Sequence, residues 1–269
     1  MGQHTSETAT QEPQERGSRA WNEAMAQKYD IDAYYAHANP LIRFVEQRRL
    51  RRIWALVESQ ASQRVVDIGS GGGHLLHGVS RGRRLGLDLS ETLLGKARHR
   101  LGPGVPLVQA NCHSLPFKGG TVDWITCSEV LEHVLEPQRA IDEMSRVLNS
   151  HGAAVLSVPN ERLIDQLKAW LARLRIFGWL LNDRRTGYDM PEHTTEEWHL
   201  HCLGLPELLG YLKRGWVVER VCAVPGWWLP LRYVVRARPR QSAGTGPEGT
   251  GYLSMGTGPL GTDSRQSMK

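Results

Sequence analysis

Through the middle of the chain, short apolar runs alternate with longer stretches in which apolar positions recur every three or four residues. A period of two or an unbroken apolar run of four to eight residues reads as a strand, and a period near 3.6 as a helix. On that rule a strand beginning at Arg64 ends in Asp67 and is followed by a helix over Gly73 to Val79. Leu85–Asp88 is the second strand, Ser90–Arg100 the next helix, and Val105–Gln109 and Val122–Cys127 the third and fourth strands. Pro137–Leu148 reads as a helix, Ala153–Val158 as a strand, Pro206–Lys213 as a helix, and Trp216–Cys222 and Leu231–Ala237 as two final strands. Strands alternating with helices predict an α/β, Rossmann-like, doubly wound and mostly parallel sheet with helices on both faces, whose ligands bind at the carboxyl ends of the strands.

The flanks follow different patterns. Residues 1–19 are polar and predict a disordered leader, whereas Trp21, Tyr29, Tyr34 and Tyr35 enrich the next stretch in aromatics. That stretch either folds over a pocket or simply packs as a helix. From Leu41 to Ser59, Leu41, Ile42, Val45, Leu50, Ile53, Trp54 and Val57 recur at helical spacing, with Arg48, Arg49, Arg51 and Arg52 largely opposite. Those arginines read as a solvated face, with contact to anionic lipid as the alternative. The main domain spans 20–238, and between its fifth strand and the following helix lies an insertion, about 160–203, too long for a plain connection. In it Leu163, Ile164, Leu167, Trp170, Leu171, Leu174 and Phe177 share one helical face, and Lys168, Arg173 and Arg175 lie elsewhere. A lid over a hydrophobic pocket is the preferred reading of this helix, ahead of a membrane-surface anchor or a helix packed on the sheet. Trp227 and Trp228 form an aromatic turn suited to a pocket rim, and 239–269, rich in Gly, Ser and Thr, reads as a flexible tail.

The chemistry concentrates in Arg64 to Leu76, RVVDIGSGGGHLL. Glycines at 69, 71, 72 and 73 permit positive φ and let a ligand approach the backbone, and a helix starting beyond them aims free N–H groups at that ligand. The second strand ends in Asp88, about twenty residues after the turn, where an acid in dinucleotide folds binds ribose hydroxyls. A helix N-cap is the other reading of Asp88, but Ser90 suits that role better.

The segment Asp67-Ile68-Gly69-Ser70-Gly71-Gly72-Gly73 resembles the Asp-x-Gly-x-Gly-x-Gly motif of class I S-adenosylmethionine-dependent methyltransferases. The resemblance continues through NCHSLPF, TVDWITCSEVLEHV and HGAAVLSVPN, spans roughly Trp54 to Arg236, and points to the methyltransferase type 11 group, which includes ubiquinone and menaquinone biosynthesis enzymes. It implies a seven-stranded sheet with an antiparallel terminal pair and S-adenosyl-L-methionine as cofactor. Asp67, Gly69, Ser70, Gly71 and Gly73 would then hold the methionine end, and Asp88 with Leu89 the ribose. Asn111, where the family usually has Asp, would accept from the adenine amino group, and Cys112 would set its N–H near the ring. Ser128 and Glu129 would lie beside the methionine part and the acceptor.

Glu129, Glu132 and His133 are spaced i, i+3, i+4, which puts them on one face of any helix formed there. These residues could fix the loop by hydrogen bonds, supply His133 as a general base, or hold a divalent metal as in the small-RNA and some quinone methyltransferases that share the string; the order of preference is as given, and no metal is assigned. His193, His199 and His201 follow in PEHTTEEWHLHC, and any of them could deprotonate an acceptor, although a structural role is preferred for each singly. The candidate catalytic set is therefore His133, His199 and His201.

Composition changes this picture little. With 269 residues, 40% hydrophobic, the chain can bury one core. Cys112, Cys127, Cys202 and Cys222 are scattered, which argues against a zinc ribbon or a disulfide frame. A net charge of +5 comes without an RNA-binding motif, so no nucleic-acid partner is expected. The absence of a long apolar run or signal core predicts a cytoplasmic protein. The expected partner is a small, hydrophobic or lipid-linked acceptor, with O-methylation favoured over N- or C-methylation and peripheral membrane contact as a further expectation. A nicotinamide oxidoreductase and a non-catalytic cofactor-binding protein are the rivals.

Overall fold

A computed structural model describes residues 18–36, 39–175 and 199–240. Expectations for the leader up to residue 17, for Phe177 and His193, and for the tail from residue 241 lie outside the described residues. The elements run α1 (Arg19–Lys28), α2 (Ile31–Tyr35), α3 (Pro40–Leu56), β1 (Arg64–Ile68), α4 (His74–His77), β2 (Arg83–Asp88), α5 (Glu91–Leu101), β3 (Leu107–Gln109) and β4 (Val122–Ser128). Then follow α6 (Pro137–Val147), β5 (Leu148–Pro159), α7 (Glu161–Arg173), α8 (Leu205–Leu212), β6 (Trp216–Gly226) and β7 (Leu229–Pro239).

The strands form one seven-stranded sheet in the order β3-β2-β1-β4-β5-β7-β6. From β3 to β5 neighbours pair in parallel, while β7 is antiparallel to β5 and β6 antiparallel to β7. The doubly wound sheet with its terminal antiparallel pair is therefore as the sequence predicts. Strand order reverses between β1 and β4, which opens a crevice above the carboxyl ends of the central strands. β1 is apolar on both faces because helices cover both: Val65, Val66 and Ile68 are all buried. On one side Val66, Ile125 and Leu156 pack with Ile141 and Met144 of α6 and Leu208 of α8; on the other Val65 and Val155 pack with Val45, Leu50 and Ile53 of α3. Each fully buried aliphatic side chain of this kind contributes about 1.5–3 kcal/mol.

Several boundaries move for local reasons. β5 starts at Leu148, five residues before the expected Ala153, because Val122 pairs with Leu148 across a register shift in the β4–β5 ladder. β3 starts only at Leu107, after Pro106, whose carbonyl accepts the Gly86 N–H at 3.0 Å. α4 is a single turn. No α-helix forms at Glu129: this residue has φ +56°, and only a 3-10 turn over Leu131–His133 follows.

The faces of α3 and α7 also differ from expectation. Arg49, read as part of a solvated stripe, is 3% exposed, whereas Arg48, Arg51 and Arg52 are exposed. On α7 it is Lys168 that is buried, while Trp170 and Leu174 of the apolar stripe are exposed. In both helices a long cation turns inward because buried carboxylates and the cavity await it there.

Candidate functional site

A cavity of about 370 Å³ opens above the carboxyl ends of β1, β2 and β4, with one end at the glycine turn and the other at β5, α7 and β7. Gly69 has φ +68° and sits so close to the 128–133 loop that a Cβ would lie 2.3 Å from Val130 Cγ2. Gly71, at φ +50°, would meet nothing nearer than Ile31 Cδ1 at 3.9 Å, so its backbone is open to the cavity. Gly73 does not line the cavity. It starts α4 in a left-handed conformation and makes room for Leu101 of α5.

Asp88 braces the turn: its Oδ2 accepts the Gly71 N–H and its Oδ1 the Ser90 N–H, both at 2.8 Å. Ser90 itself caps α5 by accepting from Leu93 N–H, so the cap and the cavity-lining acid are separate residues. Each Asp88 oxygen retains a second lone pair, enough for two vicinal hydroxyls. Burial raises its pKa, against the pull of the backbone donors. Asp67, also lining the cavity, accepts from Thr126 Oγ1 at 2.6 Å; burial, with Asp88 nearby, pushes it up to about 7. Ser70 Oγ is buried beside them without a hydrogen-bond partner. A polar, adenosyl-type ligand fits this cradle, since it would satisfy Ser70 and both carboxylates. Leu89, Asn111 and Cys112 line the same end. Asn111 is exposed and its Oδ1 already accepts the His113 N–H at 2.9 Å, leaving one lone pair. Burial pushes the Cys112 thiol up to about 12, so it stays neutral.

α1 and α2 roof this end, which resolves the two readings of the aromatic segment in favour of a cover. Asp30, Ile31, Tyr34 and Tyr35 line the cavity. Asp32 pairs with Arg100 at 2.7 Å and His74 at 2.8 Å, and the Tyr35 ring stacks on His74 at 4.0 Å. Arg100 also donates to the Gly72 carbonyl, and Glu23 accepts from Thr92 Oγ1.

The far end is built from charged side chains. Glu46 and Arg49 of α3 pair at 2.7 Å, Tyr34 OH donates to Glu46 Oε1 at 3.0 Å, and Arg49 donates to Tyr35 OH at 2.7 Å and to Ser128 Oγ. Arg232 of β7 stands 2.8 Å from Glu129 and 3.5 Å from Glu46. The Arg232 Nε–Glu129 approach is an ion pair whose angle is too poor for a hydrogen bond. Ser157 Oγ donates to Glu129 at 2.9 Å. These partners hold Glu46 below the usual carboxylate range despite its burial, and keep both arginines charged.

Beside this network lies a second cluster. Glu132 is 1% exposed, neither carboxyl oxygen has a partner, and burial with Glu129 alongside raises its pKa well above normal. Its side chain therefore does not brace the loop. His133 and His199 meet edge-to-face at 4.7 Å, and potential ligand atoms of Glu132, His133 and His199 lie within 4.8 Å of one another, a mixed carboxylate and imidazole donor set able to hold a divalent cation. His199 Nδ1 is 2.5 Å from Glu161 Oε1; burial lowers His199 to about 4 and raises Glu161 to about 7. Lys168, reaching in from α7, is lowered to about 8 by burial. His201 is elsewhere: its Nε2 meets the Val134 carbonyl at 2.9 Å and it does not line the cavity.

Thus the structure brings Asp67, Gly69, Ser70, Gly71, Asp88, Leu89, Asn111, Cys112, Ser128, Glu129, His133 and His199 around one cavity and leaves Gly73 and His201 outside it. Sequence reasoning missed Arg49, Glu161, Lys168 and Arg232 as cavity residues. A lone acid in α3 opposite a run of arginines was the signal for the first.

Residues 66–156 match the family model of the methyltransferase domain. The ubiquinone biosynthesis O-methyltransferase of Dechloromonas aromatica (strain RCB) is 38% identical over 111 residues, 38% of this chain and 47% of that protein. The ubiquinone/menaquinone biosynthesis C-methyltransferase of Enterobacter sp. (strain 638) is 30% identical over 167 residues, 54% and 65% of the two chains. The chain thus spans less than two thirds of either relative. Among solved structures, the N-methyltransferase NodS from Bradyrhizobium japonicum WM9, in complex with S-adenosyl-L-homocysteine, superposes with a TM-score of 0.57 at 16% identity, covering 83% of this chain and 100% of that one, a likeness of fold. The Asp67 to Gly73 turn, the strand order and these matches agree: residues 66–156 form a methyltransferase domain of the type 11 family.

Proposed function

We propose that the chain is an S-adenosylmethionine-dependent methyltransferase acting on a small acceptor with an ionisable hydroxyl and an apolar body. The observation that carries this reading is that Asp67 and Asp88, from neighbouring strands, line one cavity with the Gly69–Gly72 turn between them. Bound there, S-adenosylmethionine supplies an electrophilic methyl on a sulfonium. The chain's own share is to bind, to orient and to exclude water. Asp88 would hold the ribose, the turn and Asp67 the methionine end, and Asn111 with Cys112 the adenine.

The cavity continues past these residues to Glu132, His133, His199 and Lys168, which supports a catalytic site over a protein that only stores the cofactor. Its far wall mixes Val134, Leu135, Pro159 and Ile164 with the charged groups, so an acceptor would lay an apolar body on the first set and present its hydroxyl to the second. His199, neutral at physiological pH, would take the hydroxyl proton on its ring nitrogen not facing Glu161.

Calorimetric titration tests the reading. The protein should bind S-adenosylmethionine and not NAD, and Asp88→Ala should weaken binding by roughly tenfold or more, as expected for lost hydrogen bonds to a charged group. Unchanged affinity in a folded Asp88→Ala variant would remove the ribose assignment; preference for NAD would replace the enzyme class.

A further inference from the structure

From the side chains left on the surface at the cavity's edge, we infer that the protein docks on an anionic lipid surface through α3 and the β6–β7 hairpin. β6 runs parallel to β5, since both are antiparallel to β7, so the hairpin tip emerges at the same sheet edge as Asp67, Asp88 and Ser128. That tip carries Trp227 at 66% and Trp228 at 78% exposure, and the adjoining end of α3 carries Leu41 at 51% and Phe44 at 48%. The two elements touch: Arg48 donates from Nε to the Pro225 carbonyl at 3.0 Å and lies 5.8 Å over the Phe44 ring.

Along α3, Leu41, Phe44, Arg48, Arg51 and Arg52 fall at i, i+3, i+7, i+10 and i+11, a single stripe about 100° wide. All are exposed. The only acid on the helix, Glu46, is buried and paired inward with Arg49. The outward stripe is therefore apolar at one end and uniformly positive along the rest. Paired tryptophans beside it are the side chains that favour the headgroup level of a bilayer, where an apolar ring and an N–H donor are both satisfied. An acidic protein would satisfy the arginines, but it gives no reason for two adjacent tryptophans at a hairpin tip. No helix among the described residues is long and apolar enough to cross a membrane, so the contact is with the surface. It would place the cavity edge against the bilayer, from which a lipid-linked acceptor could enter. The inference does not depend on the methyl-transfer reading, and its test uses no cofactor.

The test is co-sedimentation of the full chain with vesicles of phosphatidylcholine alone or mixed equally with phosphatidylglycerol, with tryptophan quenching by brominated acyl chains as the second readout. Binding should require phosphatidylglycerol and fall with added salt. Arg51→Gln with Arg52→Gln should weaken it about fivefold per arginine. Trp227→Ser with Trp228→Ser should weaken it roughly tenfold and abolish most of the quenching, with the melting temperature unchanged. Equal binding to both vesicle types, or wild-type binding by the folded tryptophan variant, would overturn the inference. So would retention on polyglutamate equal to that on vesicles with no bromolipid quenching, which would assign the patch to an acidic macromolecule.

Discussion

Above the carboxyl ends of β1 and β2 the cavity is made largely of backbone: glycines without Cβ, N–H groups and an Asp88 that accepts from Gly71 and Ser90, all within a short span of chain. Above the carboxyl ends of β4 and β5 and the start of β7 it is made of side chains that arrive from far apart, Arg49 from α3, Glu129 and Glu132 from the loop after β4, Lys168 from α7 and Arg232 from β7. The first arrangement fixes a ligand of constant shape at little side-chain entropy cost. The second can be retuned by single substitutions, which suits the part of a site that must differ among enzymes sharing a cofactor.

If the two ends are separable, breaking the far network should spare the near one. Arg232→Met leaves the half-buried Glu129 without its cation and removes one of the partners of the buried Glu46. Removing one partner of a buried ion pair costs up to about 3–5 kcal/mol, and here Glu46 keeps Arg49 and Glu129 keeps Ser157. Thermal or urea denaturation should show a loss of up to that size and methyl transfer should collapse, while affinity for S-adenosylhomocysteine changes less than about twofold, as for sites that share no partner. A parallel fall in cofactor affinity would mean that the ends form one coupled unit, joined through the Arg49 contacts to Ser128 and Tyr35.

The same contrast explains what could be read in advance. β1, the turn and Asp88 were legible because the chemistry is local: acid, glycines and second acid lie within Asp67–Asp88. The sheet was legible because Val65–Ile68 and Val122–Cys127 are apolar runs of strand length. The inward faces of α3 and α7 were not, since helical periodicity assigns every long cation to solvent, and only tertiary partners such as Glu46 or the cavity wall reverse that for Arg49 and Lys168. The Glu129 to His133 spacing misled for a related reason. Close packing of Gly69 on Val130 and the Arg232 pair place Glu129 in the left-handed region, and no helical face forms.

Near the turn, a smaller effect should appear as a function of pH. Burial pushes the Asp67 carboxyl in the folded protein up to about 7, from an ordinary value of 3.8. The folded protein therefore binds this proton more tightly than the unfolded chain. The group costs nothing below about pH 4, and its cost grows as pH rises to about 7 and is then constant. Asp67→Asn keeps the Thr126 bond and removes the charge. Its stability relative to wild type should increase between pH 4 and 7, by up to about 4 kcal/mol, while its cofactor affinity falls. Denaturation curves across that range give the difference directly. A pH-independent difference would show that Asp67 keeps an ordinary pKa, and the near end would then lack the stored electrostatic cost that a cationic ligand could relieve.

The smallest effect tests the far end's proton chemistry. Above about pH 7 Glu161 is ionised and accepts the Nδ1–H of His199, which leaves the other ring nitrogen basic. Below that pH Glu161 holds a proton and donates it to Nδ1, and the other nitrogen then carries the hydrogen. kcat/KM at saturating cofactor should therefore rise through about pH 7. Glu161→Gln should erase that limb and lower the plateau by about tenfold, the lower end of the range for loss of a residue that orients a histidine. A limb unchanged in Glu161→Gln would assign the ionisation to Lys168 or to the acceptor. Loss of activity on chelation, restored by a divalent cation, would instead give Glu132, His133 and His199 the role of metal ligands, with Glu161 fixing the tautomer of one of them.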